Sequence, residues 1–388
     1  MLAAPARVVV SRCCAASLPA DSKRRAEWQV GASCLSTMAA SSPEEESPVG
    51  RMGAGPVSLS EWQGWGTSST VPSLVTEVIE DLRTLERDLD ANMSFGGLGG
   101  KLRGPLKVPE DKKRRTLYQS LTDSEQKLQY FTAWQIAHRL IGCRGYLCQR
   151  CWLPKEDCMC SRVVPCSLWN GIRFWLYMHP KDFLRQNNTG KLLWQLFGIQ
   201  SSVLCLFGIH EHEEIMWDAF RSSGKKMVWF LYPNKSATPK SVQDIIFENS
   251  YTCPKGQIMD SNDLPLNFVL IDGTWSNSAA MYRRLKDQWA TLWGEEEPPC
   301  ISLSTLNVSV MHKLRPQPSW DRTCTAAAAA GLLSELHHLH PELCLHGFDK
   351  QATFVENALE ALLDALTKRR LRMGRSITRK ERKMVSSR

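Results

Sequence analysis

The chain has 388 residues, 43% of them hydrophobic and 23% charged, an ordinary globular composition that excludes a wholly disordered protein. No stretch approaches the roughly 18 uninterrupted apolar residues of a membrane span, so no membrane partner is expected. The net charge of +8 is concentrated: Lys368 to Arg388 carries ten Lys or Arg and one Glu, leaving a nearly neutral body and a basic end suited to a polyanion.

In chain order, residues 1–73 read as a disordered or transit-like extension. The first 20 hold Arg7 and Arg12 and no acid among Ala, Val, Ser and Pro, which suits an organelle transit peptide or, equally, a plain disordered segment. Met38 and Met52 could each begin a shorter product. Localisation is read as cytoplasmic or nuclear, with organelle targeting by this segment left open. An acidic patch at Glu44–Glu46 and Gly, Ser and Pro up to Pro72 continue the pattern. Residues 74–142 read as a helical extension. Leu74, Val78, Leu82 and Leu85 recur at helical spacing over 74–91. A second helix is predicted from Asp123 to about Leu140, with Leu128, Phe131, Trp134, Ile136 and Leu140 apolar. Between them GGLGGKLRGPLKVPEDKKRR reads as a Gly- and Lys-rich linker.

Fourteen cysteines is a high count, and five of them, Cys143, Cys148, Cys151, Cys158 and Cys160, fall within 18 residues. Without a secretory h-region, such a cluster reads as metal ligation before disulfides. Cys148-x2-Cys151-x6-Cys158-x-Cys160 supplies two close pairs, which can surround one Zn2+ tetrahedrally at about 2.3 Å. Four sulfur ligands leave no position open for water, so residues 143–166 are expected to form a structural zinc element. The alternative is four unrelated buried thiols. Cys143 and Cys166 flank the set as bystanders.

Beyond it the pattern changes. The apolar runs Ile172–Met178, Val203–Ile209, Met227–Tyr232 and Phe268–Ile271 alternate with helical stretches at Asn188–Phe197, Glu213–Arg221 and Ser276–Trp289. Short, fully apolar strands alternating with helices predict an α/β fold, a parallel sheet covered by helices on both faces. Thr325–Leu339 and Gln351–Leu371 read as closing helices, so the α/β domain spans 167–371 with a basic tail over 372–388. That tail reads as a nucleic-acid contact, a nuclear signal or a solvated helix end.

Three loops at strand ends carry polar residues. Asp272-Gly273-Thr274-Trp275 ends the Phe268–Ile271 strand, where α/β sheets bind ligands. Asp272 suits a base or acceptor, and Gly273 a close backbone approach; the plain alternative is an Asx-turn with Trp275 as packing. The loop holding His179, Lys181, Arg185, Asn188, Thr189 and Lys191 suits phosphate or nucleic acid, or is simply a solvated strand-to-helix loop. Tyr232-Pro233 ends the third strand, and Arg315, in Leu314-Arg315-Pro316-Gln317-Pro318, could hold a carboxylate or phosphate bidentately; either could equally be connecting loop. The run His210-Glu211-His212-Glu213-Glu214 lacks the HExxH spacing and reads as a charged helix start. His337, His338 and His340 read as a helix end.

In combination, CxxC…CxC, HPKD..R..NTGK, LYP, DGTW and LRPQP resemble the DTW-domain family over about Cys148 to Leu371. The resemblance implies a SPOUT-like sheet with a C-terminal trefoil knot, which composition would not suggest. It implies a tRNA-uridine aminocarboxypropyltransferase: S-adenosylmethionine as donor, tRNA as partner, and transfer of a 3-amino-3-carboxypropyl group to uridine N3 with release of methylthioadenosine. Asp272 would be catalytic, with Tyr232, Pro233, Gly273, Thr274, Trp275 and Arg315 at the donor. His179, Lys181, Arg185, Asn188, Thr189 and Lys191 would meet RNA. One departure stands out: where the family often has Ser-Thr-x-Glu-Ala, this chain reads Thr323-Cys324-Thr325-Ala326-Ala327, without the glutamate. The same transfer on ribosomal RNA, a methyl transfer, and a non-catalytic zinc-containing RNA-binding protein are the competing readings.

Overall fold

The apolar runs form one parallel sheet. In this computed structural model the described residues are 56–88, 105, 107–233, 240–244, 265–294, 297–304, 309–314, 322–339 and 347–377. The strands are β1 (Ile172–Met178), β2 (Ser202–Leu206), β3 (Val228–Leu231), β4 (Leu266–Asp272) and β5 (Cys300–Ile301). Their order is β2-β1-β4-β3-β5, and every pairing is parallel. The first four fall on the predicted runs; β5 has only two residues, too few to make a pattern.

Alternation sorts the side chains to two faces. Phe174, Leu176, Met178, Phe268 and Leu270 point into one core, shared with helices α5 (Lys191–Ser201), α8 (Thr325–Leu339) and α9 (Phe348–Arg372). Trp175, Tyr177, Val203, Cys205 and Val269 point into a second core, with α6 (His210–Ser223) and α7 (Trp275–Trp293). Both faces are covered, which is why the strands read as continuous apolar runs rather than alternating ones. The chain leaves β1 for β2 on one side, while β4 lies on the other. The carboxyl ends of β1 and β4 therefore part their loops in opposite directions and open a crevice. Met178 and Asp272 face each other across that edge.

Ahead of the sheet lie α1 (Leu59–Gly64), α2 (Ser73–Asp88), α3 (Lys107–Ser120) and α4 (Ser124–Cys143). Here two expectations are corrected. Residues 56–73, expected to be disordered, include α1, whose N-cap Ser58 accepts a hydrogen bond from Glu61 N at 3.1 Å. Trp62 and Trp65 are fully buried, and such large apolar area outweighs the local Gly and Ser. The expected linker is also helical from Lys107 onward. It buries no residue, so no apolar stripe announced it. α4 begins where the sequence places it, and Asp123 caps it, accepting from Glu125 N and Gln126 N at 3.2 Å. The face turned inward is Ala133, Ile136, Ala137 and Leu140. Phe131 and Trp134 are only half-buried.

Arg284 of α7 ties this layer to the sheet. Its guanidinium bonds both oxygens of Glu213 on α6 and both of Glu125 on α4, at 2.6 to 3.0 Å. Glu213 also accepts from Tyr177 OH at 2.6 Å and Gly208 N at 3.0 Å. The buried carboxylate thus meets a charged partner and neutral donors together, the arrangement a buried ion needs. Among the described residues no helix is long and apolar enough to cross a membrane.

Candidate functional site

The cysteine element is local in sequence and tightly wound. Trp152 N bonds Cys148 O at 2.9 Å, and Cys148 N bonds Leu153 O at 2.8 Å, which folds the first cysteine pair into a knuckle. Trp152 closes it in the left-handed region at φ 55°, an uncommon state for a bulky side chain that full burial of its ring holds in place. Short 3-10 turns at Lys155–Asp157 and Cys160–Arg162 bring the second pair opposite. All four sulfurs lie within 4.8 Å of one another. Cys148 and Cys160 Sγ are 3.7 Å apart, and Cys151 and Cys158 Sγ 3.8 Å. A tetrahedron of thiolates around a metal at about 2.3 Å has edges of about 3.8 Å, so the residues fit zinc. The thiols are free, and their separations are far beyond a disulfide's about 2 Å. Hydrogen bonds from the Cys151 and Cys160 thiols, and then from the Cys151 and Arg150 amides, hold Cys148 well below the usual thiol range, while its bond to Cys148 pushes the Cys151 thiol up. Cys143 and Cys166 stay outside the cluster, and burial pushes their thiols up to about 12 and about 11.

Asp157, between the two pairs, anchors the element to the end of α9. Its Oδ2 accepts from Arg369 Nη1 at 2.9 Å and from Arg372 Nη2 at 2.7 Å. Arg369 also donates to Tyr146 OH at 3.1 Å, and Arg372 to Glu156 at 2.8 Å. Lys368 pairs with Asp364 at 3.0 Å. Three residues that look like part of a basic tail facing a polyanion are therefore committed inside the chain. The rest of the tail beyond Ile377 lies outside the described residues.

Beside this clamp, at the carboxyl ends of β3, β4 and β5 and against the loop after β1, lies a cavity of about 480 Å3, the size of a small-molecule site. Leu231, Leu270, Ile301, Met311 and Leu314 give it an apolar wall, while Arg185, Asn188, Asp272, Thr325, Arg370 and Arg375 supply polar groups. Asp272 sits at its floor, 6% exposed. One carboxylate oxygen accepts from Asn188 Nδ2 at 2.7 Å, the other from Thr325 Oγ1 at 2.8 Å. The Asp272 backbone carbonyl accepts from His179 N at 2.9 Å. One aspartate thus joins β4, the loop after β1 and the start of α8. Gly190 is needed beside it: a Cβ there would lie 2.4 Å from Asp272 Oδ2.

The residues expected at the donor divide. Tyr232, Pro233, Gly273 and Trp275 line the cavity. Tyr232 stacks on Tyr282 at 4.3 Å, and the Trp275 ring lies under Arg322 at 4.4 Å. Thr274 does not line it; its Oγ1 bonds Ser276 Oγ at 2.9 Å at the start of α7. Arg315 lies outside the described residues. The residues expected to meet RNA divide as well, into four that are buried and two that are not. His179, Asn188, Thr189 and Lys191 are buried, so they build the site rather than face a phosphate backbone. Asn188 accepts from Lys191 N at 3.0 Å while holding Asp272. The His179 ring stacks on Phe207 at 5.7 Å and accepts from Lys181 N at 3.1 Å; burial draws it down to about 4. Lys191 is wholly buried, with its Nζ 5.8 Å from the Trp152 ring and bonded to Gln186 O at 2.5 Å. Burial draws it down to about 7, against the pull of Cys151, Cys160 and Cys148. Only Lys181 and Arg185 reach solvent, Arg185 paired with Asp182 at 2.6 Å.

Sequence reasoning passes over Thr325, whose bond to Asp272 spans 53 residues; the one signal is its place in the stretch lacking the family glutamate. The alanine at the glutamate's position, Ala326, is fully buried. Arg370 and Arg375 are passed over too, hidden in the count of tail charges.

A parallel α/β sheet with ligand space at its strand ends, joined to a four-cysteine element that could hold a metal ion, defines an α/β domain with a candidate ligand site and a candidate metal centre. The family model that matches it is the DTW domain, over residues 145–371. The chain belongs to the DTW-domain family. No solved structure matches it.

Proposed function

We propose that this protein transfers the 3-amino-3-carboxypropyl group of S-adenosylmethionine to N3 of a uridine in tRNA, releasing methylthioadenosine. The observation that carries the reading is the cavity of about 480 Å3 lined by Asp272, Gly273 and Trp275 of the family's own motif. Family membership supports a transferase acting in tRNA modification. A mixed apolar and arginine-bearing lining suits a donor with a purine at one end and an amino acid at the other. In this proposal the N3 electron pair attacks the γ-carbon of the donor, the carbon–sulfur bond breaks, and sulfur leaves as a neutral thioether. The proton from N3 passes to a carboxylate, for which Asp272 is the candidate. Asn188 and Thr325 hold that carboxylate in one orientation, which favours a fixed geometry at the reacting atoms. The four thiolates hold zinc, whose part is to fix the element against α9. The SPOUT-like knot belongs to the same proposal; residues 245–264, 305–308 and 315–321, which connect the strands and α8, include no described position.

The test is mass spectrometry of nucleosides after incubating the full chain with labelled donor and tRNA. Labelled 3-(3-amino-3-carboxypropyl)uridine together with methylthioadenosine is the expected result. Adenosylhomocysteine would mean methyl transfer, product in ribosomal RNA alone would move the substrate, and RNA binding without turnover would leave a binding protein; each overturns the proposal.

A further inference from the structure

Away from the cavity, α3 and α4 present a series of cations seated on aromatic rings. The Arg114 guanidinium lies 3.6 Å from the Trp134 ring centroid, Lys127 Nζ 6.0 Å from Tyr118, and Lys181 Nζ 5.3 Å from Phe131. Lys127, Phe131 and Trp134 stand at i, i+4 and i+7 of α4, one face of the helix over about 10 Å. Lys181 belongs to the loop after β1, two residues from His179, whose amide bonds the Asp272 carbonyl. Arg185, one turn further on, lines the cavity itself. The series therefore starts at the cavity edge and runs outward across α4 to α3.

A ring holds a cation differently from a carboxylate. It restricts the side chain but leaves its charge and N–H donors available, whereas an ion pair cancels the field. Among the described residues Lys127 and Lys181 make no ion pair; Arg114 also approaches Asp111, at 3.4 Å. The result is a fixed positive strip, and its charge complements a chain of phosphates.

We propose that the face formed by Arg114, Lys127 and Lys181, with Tyr118, Phe131 and Trp134 beneath them, is the docking surface for the backbone of the substrate RNA, leading it toward the cavity. This rests on the RNA-modifying reading above. It assigns RNA binding to the helices ahead of the family domain, and leaves α3, with its exposed Val108, Leu117 and Tyr118, stable mainly through these ring interactions until RNA covers it.

The test is Lys127→Ala with Lys181→Ala in the full chain, measured by fluorescence anisotropy with labelled, unmodified tRNA over a range of salt, without donor. Removing a cation that neutralises one phosphate lowers the slope of log affinity against log salt by about 1. The double variant should therefore lose about 2 in slope and at least about tenfold in affinity at low salt, with unchanged donor affinity by calorimetry. Charge reversal, Lys127→Glu with Lys181→Glu, should deepen the loss. Wild-type affinity and slope in both variants would overturn the proposal, as would slopes unchanged alongside loss of a co-purifying protein partner. The readout is independent of turnover. A wild-type chain that binds RNA through this face yet transfers nothing sinks the proposed reaction and keeps the surface, whereas full turnover with an unaltered slope does the reverse.

Discussion

The cysteine element and the cavity lie side by side and are built in contrary ways. The element draws its ligands from 13 consecutive residues, Cys148 to Cys160, and closes through bonds among near neighbours. The cavity takes residues from the ends of three strands, the loop after β1, the start of α8 and the end of α9. A local site depends on one ligand set and should fail as a unit. A distributed site depends on the whole fold, and each lining residue can be weakened separately. Asp157 connects the two, because it lies within the element and holds the arginines of α9 beside the cavity.

The sharpest way to break this contrast is at the metal. Cys148→Ser or Cys158→Ser should lower zinc to well under one per chain by metal analysis. Because structural zinc contributes folding free energy directly, the melting temperature should fall by about 10 °C or more. Retained zinc with an unchanged melt would show that the element does not act as a unit. Next comes Asp272→Asn. An amide cannot take the N3 proton, so single-turnover formation of the modified nucleoside should slow by about a hundredfold to ten-thousandfold. One end of the amide must also present N–H groups to Asn188 or Thr325, so a stability loss of about 1–3 kcal/mol is expected in urea melts. Near wild-type turnover with only that stability loss would make Asp272 a loop pin.

Asp157→Asn tests the joint between the regions. Zinc should be retained, but two arginines lose their shared charge, at a cost of about 2 kcal/mol. If the clamp positions the cavity wall, KM should rise more than kcat falls; unchanged kinetics would show that the two regions are merely adjacent. The smallest effect is acid. Burial holds His138, His179 and His212 down to about 4, below the ordinary value near 6.5. As pH falls from about 6.5 to about 4 the unfolded chain takes up protons that the folded chain refuses, so stability should decline through that window. His212→Gln should flatten the decline measured by urea titration at pH 7 and pH 5; an identical slope would assign it to other groups.

How much of this is legible in the sequence follows from locality. Cys148, Cys151, Cys158 and Cys160 declare themselves by spacing, because a turn of fixed length brings them together. β1 to β4 declare themselves because strands buried on both faces must be apolar throughout. The ring of bonds around Asp272 is invisible there, since Asn188 and Thr325 stand 84 and 53 residues away. Lys191 misleads for a physical reason: lysine is almost never fully buried, so a lysine in a polar loop looks like a surface charge. α1 is hidden because two tryptophans decide its fate against many small residues around them. α3 is hidden because it has no core face to read.

The family match begins at residue 145, but the cooperative unit begins earlier. Trp62 packs on Phe183 and His212 at 5.7 and 5.9 Å, inside the matched region. Gly66 leaves no room for a Cβ against Trp194. Glu61 makes a two-pronged pair with Arg144 at 2.8 and 2.9 Å, and Glu125 completes the Arg284 cluster. Anyone trimming this protein to its recognisable part would therefore strip the lid from an apolar socket and leave a carboxylate partner missing from a buried arginine. The fragment would be sticky and unstable for reasons unrelated to its chemistry. A chain that keeps residues 56 onward retains Trp62 against Phe183 and His212, and leaves Glu61 and Glu125 beside their arginines.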